Sequence, residues 1–209
     1  MELRTYVVID SMQPQYAALT GKIFTGGVVV EGMAEVIIEV SPACDIYRVM
    51  DAALKAAEVR PGSLNVERVY GSLEVHSEHQ ESVKVAGAAA LRLMELSERE
   101  RQKPQVVSAK MVTEIDAYEA QNINKRARGG LLLRGQTLCV IEVTPAAYVV
   151  LAANEAEKAA NITLVDYSDT GVFGRLYIAG TESEIMIGRD AAIRAIEALT
   201  GREAKAASD

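Results

Sequence analysis

The sequence predicts an α+β chain made of two copies of one domain, each an antiparallel sheet carrying packed helices. The first observation behind this is an internal repeat with no gap at a spacing of 103 residues. Ile38-Glu39-Val40-Ser41-Pro42-Ala43 returns as Ile141-Glu142-Val143-Thr144-Pro145-Ala146, and Gly26-Gly27-Val28-Val29-Val30-Glu31-Gly32 returns as Gly129-Gly130-Leu131-Leu132-Leu133-Arg134-Gly135. A period that long marks a duplicated domain, because solenoid units run to about 20–50 residues. The second observation is that short β-branched runs alternate with helical periods inside each copy. The third is the charged, proline-ended stretch Glu98 to Pro104, which falls where the repeat restarts. It divides the chain into residues 1–103 and 104–209, with a frayed tail expected from about Glu203.

The elements of one copy follow in order. Leu3 to Asp10 has the residues of a strand, and Gln13 to Lys22 reads as a short helix with Pro14 near its start. Glycines bracket Val28-Val29-Val30 as a short strand between turns, and Glu35 to Val40 is an apolar strand. Ser41-Pro42 opens a helix whose Ile46, Val49, Met50, Ala53, Leu54 and Ala57 form one apolar face, opposite Arg48, Asp51 and Lys55. Arg60-Pro61-Gly62 ends that element. Ser63 to Val69 and Ser72 to Val75 read as strands, and Gln80 to Leu96 as an alanine-rich helix whose Gly87 permits close approach to a sheet. Residues from Gln105 repeat the plan. One departure stands out: Tyr47 and Arg48 become Val150 and Leu151, which makes the start of the second-copy helix apolar nearly all round. A helix of that kind is buried on both sides, against the chain's own first copy or against another subunit.

Composition narrows the function. A net charge of -7 disfavours nucleic acid as a partner, because neutralising phosphates needs a basic stripe. No apolar run approaches the ~18–20 residues of a membrane helix. Met1-Glu2-Leu3-Arg4 leads straight into a strand, so no signal peptide is expected, and two cysteines at unmatched repeat positions, Cys44 and Cys139, suit a reducing cytoplasm. No nucleophile–base set stands out, and His76 with His79 lacks a thiol or further ligand, so neither metal nor cofactor is expected. The paired glycines lead into strands rather than helices and read as turns, not phosphate loops.

Several segments resemble the bacterial microcompartment shell proteins. The helix stretch Met50-Asp51-Ala52-Ala53-Leu54-Lys55-Ala56-Ala57-Glu58-Val59, its second version Ala153-Asn154-Glu155-Ala156-Glu157-Lys158-Ala159-Ala160-Asn161-Ile162, and the segment Val66-Glu67-Arg68-Val69-Tyr70-Gly71 carry the likeness. A strand and helix precede the Ile-Glu-Val strand in both copies, as in the circularly permuted, tandem-domain, trimer-forming subclass, and the likeness is nearest to carboxysomal-type members whose trimers stack.

The resemblance implies a structural shell protein of a cytoplasmic bacterial microcompartment: a pseudohexagonal homotrimer, able to stack as two trimers, that meets other shell proteins and passes small metabolites through a gated central pore. It implies no catalysis, no membrane and no nucleic acid. It assigns the gate to Glu67 and Arg68, whose second-copy equivalents Thr170 and Gly171 lie with Asp169 in a loop of small residues. Long charged side chains flanked by small ones would have room to swing. It places Lys55 and Lys158 at the tile edge, with Asp51 and its counterpart Asn154 beside them. An iron–sulfur cluster on the axis is not expected, since both cysteines lie outside the pore segment. The rival reading is a soluble oligomeric metabolite-binding or sensory protein on the same duplicated fold. A third, an enzyme, lacks an acid–base constellation.

Overall fold

The computed structural model describes residues 1–204, so the expected tail lies outside the described residues from Lys205 onward. The first copy runs β1 (Glu2–Ile9), α1 (Pro14–Ile23), β2 (Ala34–Ser41), α2 (Ile46–Ala56), β3 (Arg60–Glu67), β4 (Tyr70–Ser77) and α3 (Gln80–Met94). The second runs β5 (Gln105–Val112), α4 (Ala117–Asn124), β6 (Thr137–Thr144), α5 (Val149–Ala159), β7 (Thr163–Ser168), β8 (Gly174–Gly180) and α6 (Glu182–Glu197). Each copy folds as a four-stranded antiparallel sheet, ordered β1-β2-β4-β3 and β5-β6-β8-β7.

The duplication extends to backbone irregularities. Bulges between Leu3 and Thr5 and between Pro61 and Ser63 return between Val106 and Ser108 and between Leu164 and Asp166. Gly71 and Gly174 are equivalent and serve one purpose: a Cβ there would stand 2.2 and 2.1 Å from the carbonyl oxygens of Ala43 and Ala146. Only glycine lets the 3-10 turn before α2 or α5 pack directly on the strand.

Strand alternation sorts each sheet into two faces. In the first copy Val36, Ile38, Val40, Leu73 and Val75 pack against Ile46, Val49 and Ala53 of α2 and Val83, Ala86 and Ala90 of α3. The other face carries Glu35, Ile37 and Glu39 of β2 with Glu74 and His76 of β4, and α1 lies over it. In the second copy Ile141, Val143, Leu176 and Ile178 pack against α5 and α6, while Leu138 and Ala179 form a smaller core with Ile115, Ala120 and Leu132.

Three details differ from the sequence reading. Val28-Val29-Val30 is a loop, because the backbone of Gly26 and Gly27 pairs only briefly with Gly62 and Pro61. Arg60-Pro61-Gly62 begins β3 rather than ending an element. The stretch Glu98 to Pro104 is fastened down: Arg101 is buried, its Nη1 donates to the Tyr6 carbonyl at 3.0 Å and its Nε to the Thr200 carbonyl at 2.9 Å. The all-round apolar start of α5 is buried against the chain's own first copy, in one core with Val7, Ile9, Met12 and Tyr16. It therefore gives no argument for a second subunit. No helix among the described residues is long and apolar enough to cross a membrane.

Candidate functional site

The candidate gate is a tight hairpin. Glu67 is the last residue of β3, Arg68 and Val69 form the two-residue turn, and Tyr70 opens β4 opposite Glu67. Arg68 has φ 49°, and its counterpart Gly171 has φ 94°. Positive φ at the first central position is what such a turn requires, and glycine meets it without a Cβ clash. Glu67 and Arg68 are thus not two successive strand residues on opposite faces, because the chain reverses at Arg68. Both are exposed, as are Val66 and Val69. Arg68→Gly should stabilise the fold by up to about 1 kcal/mol in urea unfolding, since it relieves a left-handed conformation at the cost of some unfolded-chain entropy.

The structure brings the candidate gate hairpin and its second-copy counterpart together. Glu67 and Tyr70 line one small hollow with Thr170 and Gly171, and Glu39, Asn65 and Ser72 form its floor. Asp169 is half-buried behind that loop, and desolvation raises its carboxyl above the usual aspartate value.

Two residues that the sequence reading left aside support the hairpin. The Arg4 guanidinium lies 3.6 Å from the centroid of the Tyr70 ring. Its Nε donates to Glu39 Oε2 at 3.3 Å and its Nη1 to Gln102 Oε1 at 3.2 Å. Thr5 Oγ1 donates to the same Glu39 oxygen at 3.1 Å. Burial outweighs the arginine here and pushes the Glu39 carboxyl up to about 7. The second copy answers differently, with Arg175 Nε donating to Glu142 at 2.7 Å.

Farther along the same face lies a buried acidic pair. Glu35 and Glu74 are 0% and 2% exposed. Tyr16 donates to Glu35 Oε1 at 2.5 Å, the Gly62 amide donates to Glu74 Oε2 at 2.9 Å, and His76 Nδ1 lies 3.0 Å from Glu74 Oε1. Desolvation raises both carboxyls well above the ordinary glutamate value; the Glu74 charge raises Glu35 further, while the Gly62 amide pulls Glu74 part of the way back. His76 is lowered, first by burial and then by Arg60, so it stays neutral and supplies no counter-charge. Glu35 Oε2 and His76 Nε2 have no hydrogen-bond partner among the described residues. The equivalents of Glu35, Glu74 and His76 in the second copy are Leu138, Tyr177 and Ala179. Comparing the copies position by position is the signal that exposes this cluster.

The residues expected at the tile edge divide. Lys55 is exposed and its Nζ donates to Asp51 Oδ2 at 2.7 Å; Lys158 is exposed and lies 3.8 Å from Glu155 Oε2. Asn154 cannot sit on an outer edge. It is 3% exposed, its Oδ1 accepts from the Gln13 amide at 2.9 Å, and its Nδ2 donates to the Ser11 carbonyl. Beside it Glu157 accepts from the Gln15 and Tyr16 amides at 2.7 and 2.8 Å, which caps α1, a helix with no side-chain cap of its own. These contacts make the seam between the copies.

Comparison with known proteins gives one kind of relative. Residues 3–100 match the model of the CsoS1D N-terminal domain. The chain is 51% identical to the carboxysome shell protein CcmP of Synechococcus elongatus over 97% of this chain and 95% of that one. It is 41% identical to the carboxysome shell protein CsoS1D of Prochlorococcus marinus over 96% of this chain and 78% of that one. Two solved structures superpose over nearly the whole chain. One is a fused permuted hexameric shell protein of the RMM microcompartment, with a TM-score of 0.92, 40% identity and 96% and 100% coverage. The other is a double-ringed trimeric shell protein of the RMM microcompartment, with a TM-score of 0.93, 37% identity and 97% and 99% coverage.

Proposed function

The chain belongs to the tandem-domain carboxysome shell proteins, and on that premise we propose that three copies close into a pseudohexagonal tile whose central pore is gated by Glu67 and Arg68. It is a structural protein of a microcompartment shell and not an enzyme. Its two shell-type domains are 1–103 and 104–209.

The observation that carries this reading is the seam inside the chain, which serves as a template for the seam between chains. Within the chain α1 docks on α5 and β7, through Gln13 on Asn154, Gln15 and Tyr16 on Glu157, and Thr20 on Tyr167 at 3.0 Å. The equivalent helix of the second copy, α4, has no such cover: Tyr118 is 84% exposed. An open cleft of about 570 Å³ lies beside it, lined by Ile123, Arg126, Tyr167, Arg175 and Tyr177 among others. The matching place in the first copy is covered by the second copy's Tyr167 and Thr170-Gly171. Applying the same operation once more places α4 on α2 and β3 of the partner subunit, where Leu54 is 37% exposed and Val59 and Leu64 are partly buried.

Capping chemistry fits that placement. α1 borrows Glu157, whereas α4 caps itself, with Asp116 accepting from the Tyr118 amide at 2.8 Å, and the position equivalent to Glu157 is the apolar Leu54. Closing the operation after three chains brings three Glu67–Tyr70 hairpins and three Asp169–Gly171 loops to one axis. Small metabolites cross there, and Lys55 and Lys158 lie at the outer edge, where other shell proteins meet the tile.

Three converging Arg68 side chains repel one another, so a closed pore needs an acceptor for each, and Glu67 of an adjoining subunit is the nearest by sequence. The exchanged pairs are exposed and individually weak, which keeps open and closed arrangements within a few kcal/mol of each other. Glu67→Ala with Arg68→Ala should leave the fold intact and the axis permanently open, giving faster small-molecule passage in a flux assay. An axis still blocked by Tyr70 or the Asp169–Gly171 loop would put the gate elsewhere. Lys55→Asp with Lys158→Asp should leave trimers in solution and reduce extended sheets in electron micrographs. Sheets as abundant as those of the unmodified protein would remove the lysines from the edge.

A further inference from the structure

The copy that carries the candidate gate charges also carries a brace that the other copy lacks. Arg4 corresponds to Val107, and Glu67 corresponds to Thr170. Glu39 and Glu142 are equivalent, yet they find different arginines. Glu142 takes Arg175 from its neighbouring strand at 2.7 Å, and that pair faces water. Glu39 is 2% exposed and takes Arg4, whose side chain is 12% exposed. The second copy builds the same sheet with an exposed valine at the Arg4 position, so the fold itself does not require an arginine there.

Arg4 stands on β1 and reaches across β2 to lay its guanidinium over Tyr70 of β4. Glu67 stands on β3 directly opposite Tyr70. Residues opposed in this way have Cβ atoms about 4.5–5.5 Å apart. Glu39, Tyr70 and Glu67 line one hollow and therefore share that face of the sheet. Arg4 thus has a buried carboxyl on one side and an exposed one on the other. Its Nε and Nη1 are engaged by Glu39 and Gln102, and its Nη2 has no acceptor among the described residues. A guanidinium presents donors along more than one edge, so the free edge can serve Glu67.

The groups around Glu39 make Arg4 the pivot. Arg4 faces it from β1, Tyr70 from β4, Glu67 from β3, Asp169 from the second-copy loop and Tyr148 from the turn before α5. Glu35 lies farther along β2 and Glu74 farther along β4. Arg4 is the one cation in this set. While Glu39 is ionised, it neutralises Arg4. Once Glu39 takes a proton, a mostly buried guanidinium is left without a counter-charge, which is unfavourable. Glu67 is exposed and can turn to supply one.

We propose that Arg4 is a positioning residue of the gate with Glu39 as its proton switch: ionised Glu39 keeps Arg4 and leaves Glu67 to Arg68 of the adjoining subunit, whereas protonated Glu39 releases Arg4 to Glu67 and the pore opens. Deprived of Glu67, the three Arg68 side chains repel one another and turn away from the axis. Acid therefore favours the open pore and alkali the closed one. Burial pushes the Glu39 carboxyl up to about 7, which puts the change near neutral pH.

This inference rests on Glu67 and Arg68 forming the gate, and its test separates the two. Electron cryomicroscopy of the assembled full chain at pH about 5.5 and about 8.5, sorted by whether Arg68 points to the axis, gives the open-to-closed ratio. That ratio should be at least about threefold higher at the lower pH, the scale set by weak exposed pairs. Glu39→Gln should hold the higher ratio at both pH values; its amide still accepts from Arg4 and Thr5, so the brace survives. Arg4→Met should hold the lower ratio at both, and Arg4→Lys, which keeps the cation, should recover the response. A brace that only supported the fold would give Arg4→Met a lower unfolding midpoint and an unchanged response to pH. An unmodified protein whose ratio ignores pH overturns the inference and leaves the gate in place, and so does a Glu39→Gln or Arg4→Met variant that still responds. Arg68 side chains that stay off the axis at both pH values tell against the gate itself, and the inference falls with it.

Discussion

Tyr118→Asp is expected to turn the trimer into monomers at micromolar concentration while each monomer keeps its fold. Tyr118 is 84% exposed and makes no side-chain contact that the isolated chain needs. In the proposed ring it would pack against Leu54, Val59 and Pro61 of the partner subunit, the positions equivalent to Glu157, Ile162 and Leu164, which Gln15 touches inside the chain. A carboxylate placed there exchanges water for the apolar surface of Leu54, Val59 and Pro61. Burying one unpaired charge costs roughly 3–5 kcal/mol, and a closed ring incurs it at each of its three seams. Sedimentation velocity reads the mass and circular dichroism reads the fold. Gln15→Asp is the matched control: its seam is inside the chain, so it should lower the unfolding midpoint and leave the oligomer's mass unchanged. A trimer that persists in Tyr118→Asp would show that α4 does not face the partner subunit.

The second large effect is on stability against pH. Glu35 and Glu74 are buried together, with desolvation as the leading cause of their raised values and the second carboxyl contributing to that of Glu35. The groups facing them are Tyr16 from α1, His76 from β4, Arg60 from β3, Tyr167 from β7 and Asp169 from the second-copy loop. Of these only Arg60 is a cation, and it is exposed. Glu39 is raised to about 7 for the same leading reason. A carboxyl raised in the folded state binds its proton where the unfolded chain has lost it. Its contribution is therefore complete below the unfolded value and is lost as pH climbs through the folded one. Each retained proton gives a slope of about 1.4 kcal/mol per pH unit, and for Glu39 the rise from 4.5 to about 7 corresponds to roughly 3 kcal/mol.

The protein should accordingly lose stability as pH rises from about 4.5 through about 7, where Glu39 titrates, and the raised Glu35–Glu74 pair steepens that fall from the same starting point. Glu39→Gln and, separately, Glu35→Gln with Glu74→Gln should each make that slope shallower, measured by urea unfolding at fixed pH steps. Parallel slopes in all three proteins would mean that these carboxyls are ionised in the folded chain. The comparison has an internal standard, because the second copy builds the same sheet with Leu138, Tyr177 and Ala179 in place of the cluster. Apolar residues of similar volume commonly match or exceed buried polar groups in stability.

The repeat made most of the architecture legible. A spacing with no gap requires the two copies to share strand order, bulges and turns, and Gly71 with Gly174 shows the match reaching single contacts. Long periodic elements such as α2 were clear because their apolar stripe must find a core. Strand order was not, since residues that pair β2 with β4 are far apart in sequence and neither strand's pattern names its neighbour. The segment Val28-Val29-Val30 reads as a strand in sequence because alternation with one buried residue is common to a strand and to an anchored loop.

Among the site residues, Glu67, Arg68, Thr170 and Gly171 came from a local motif and its counterpart one repeat later, and the fold sets Glu67 beside the second-copy loop. Asn154 departs from the tile-edge expectation because equivalence to Asp51 in the repeat does not carry equal exposure. The turn before α1 covers Asn154 of α5, while among the described residues no such segment covers Asp51 of α2, so the same position is buried in one copy and open in the other. Arg4 and Glu39 stayed hidden because one charge in an otherwise apolar strand gives no sign of its partner across the sheet.

The most direct test of the central claim is an electron cryomicroscopy reconstruction of the purified assembly, refined without imposed symmetry. The account predicts a three-fold particle with the Glu67–Tyr70 hairpins and the Asp169–Gly171 loops alternating around the axis, and α4 of each chain lying on α2 and β3 of the next. A particle without a three-fold axis, or a three-fold one with those hairpins at its outer edge, would contradict it.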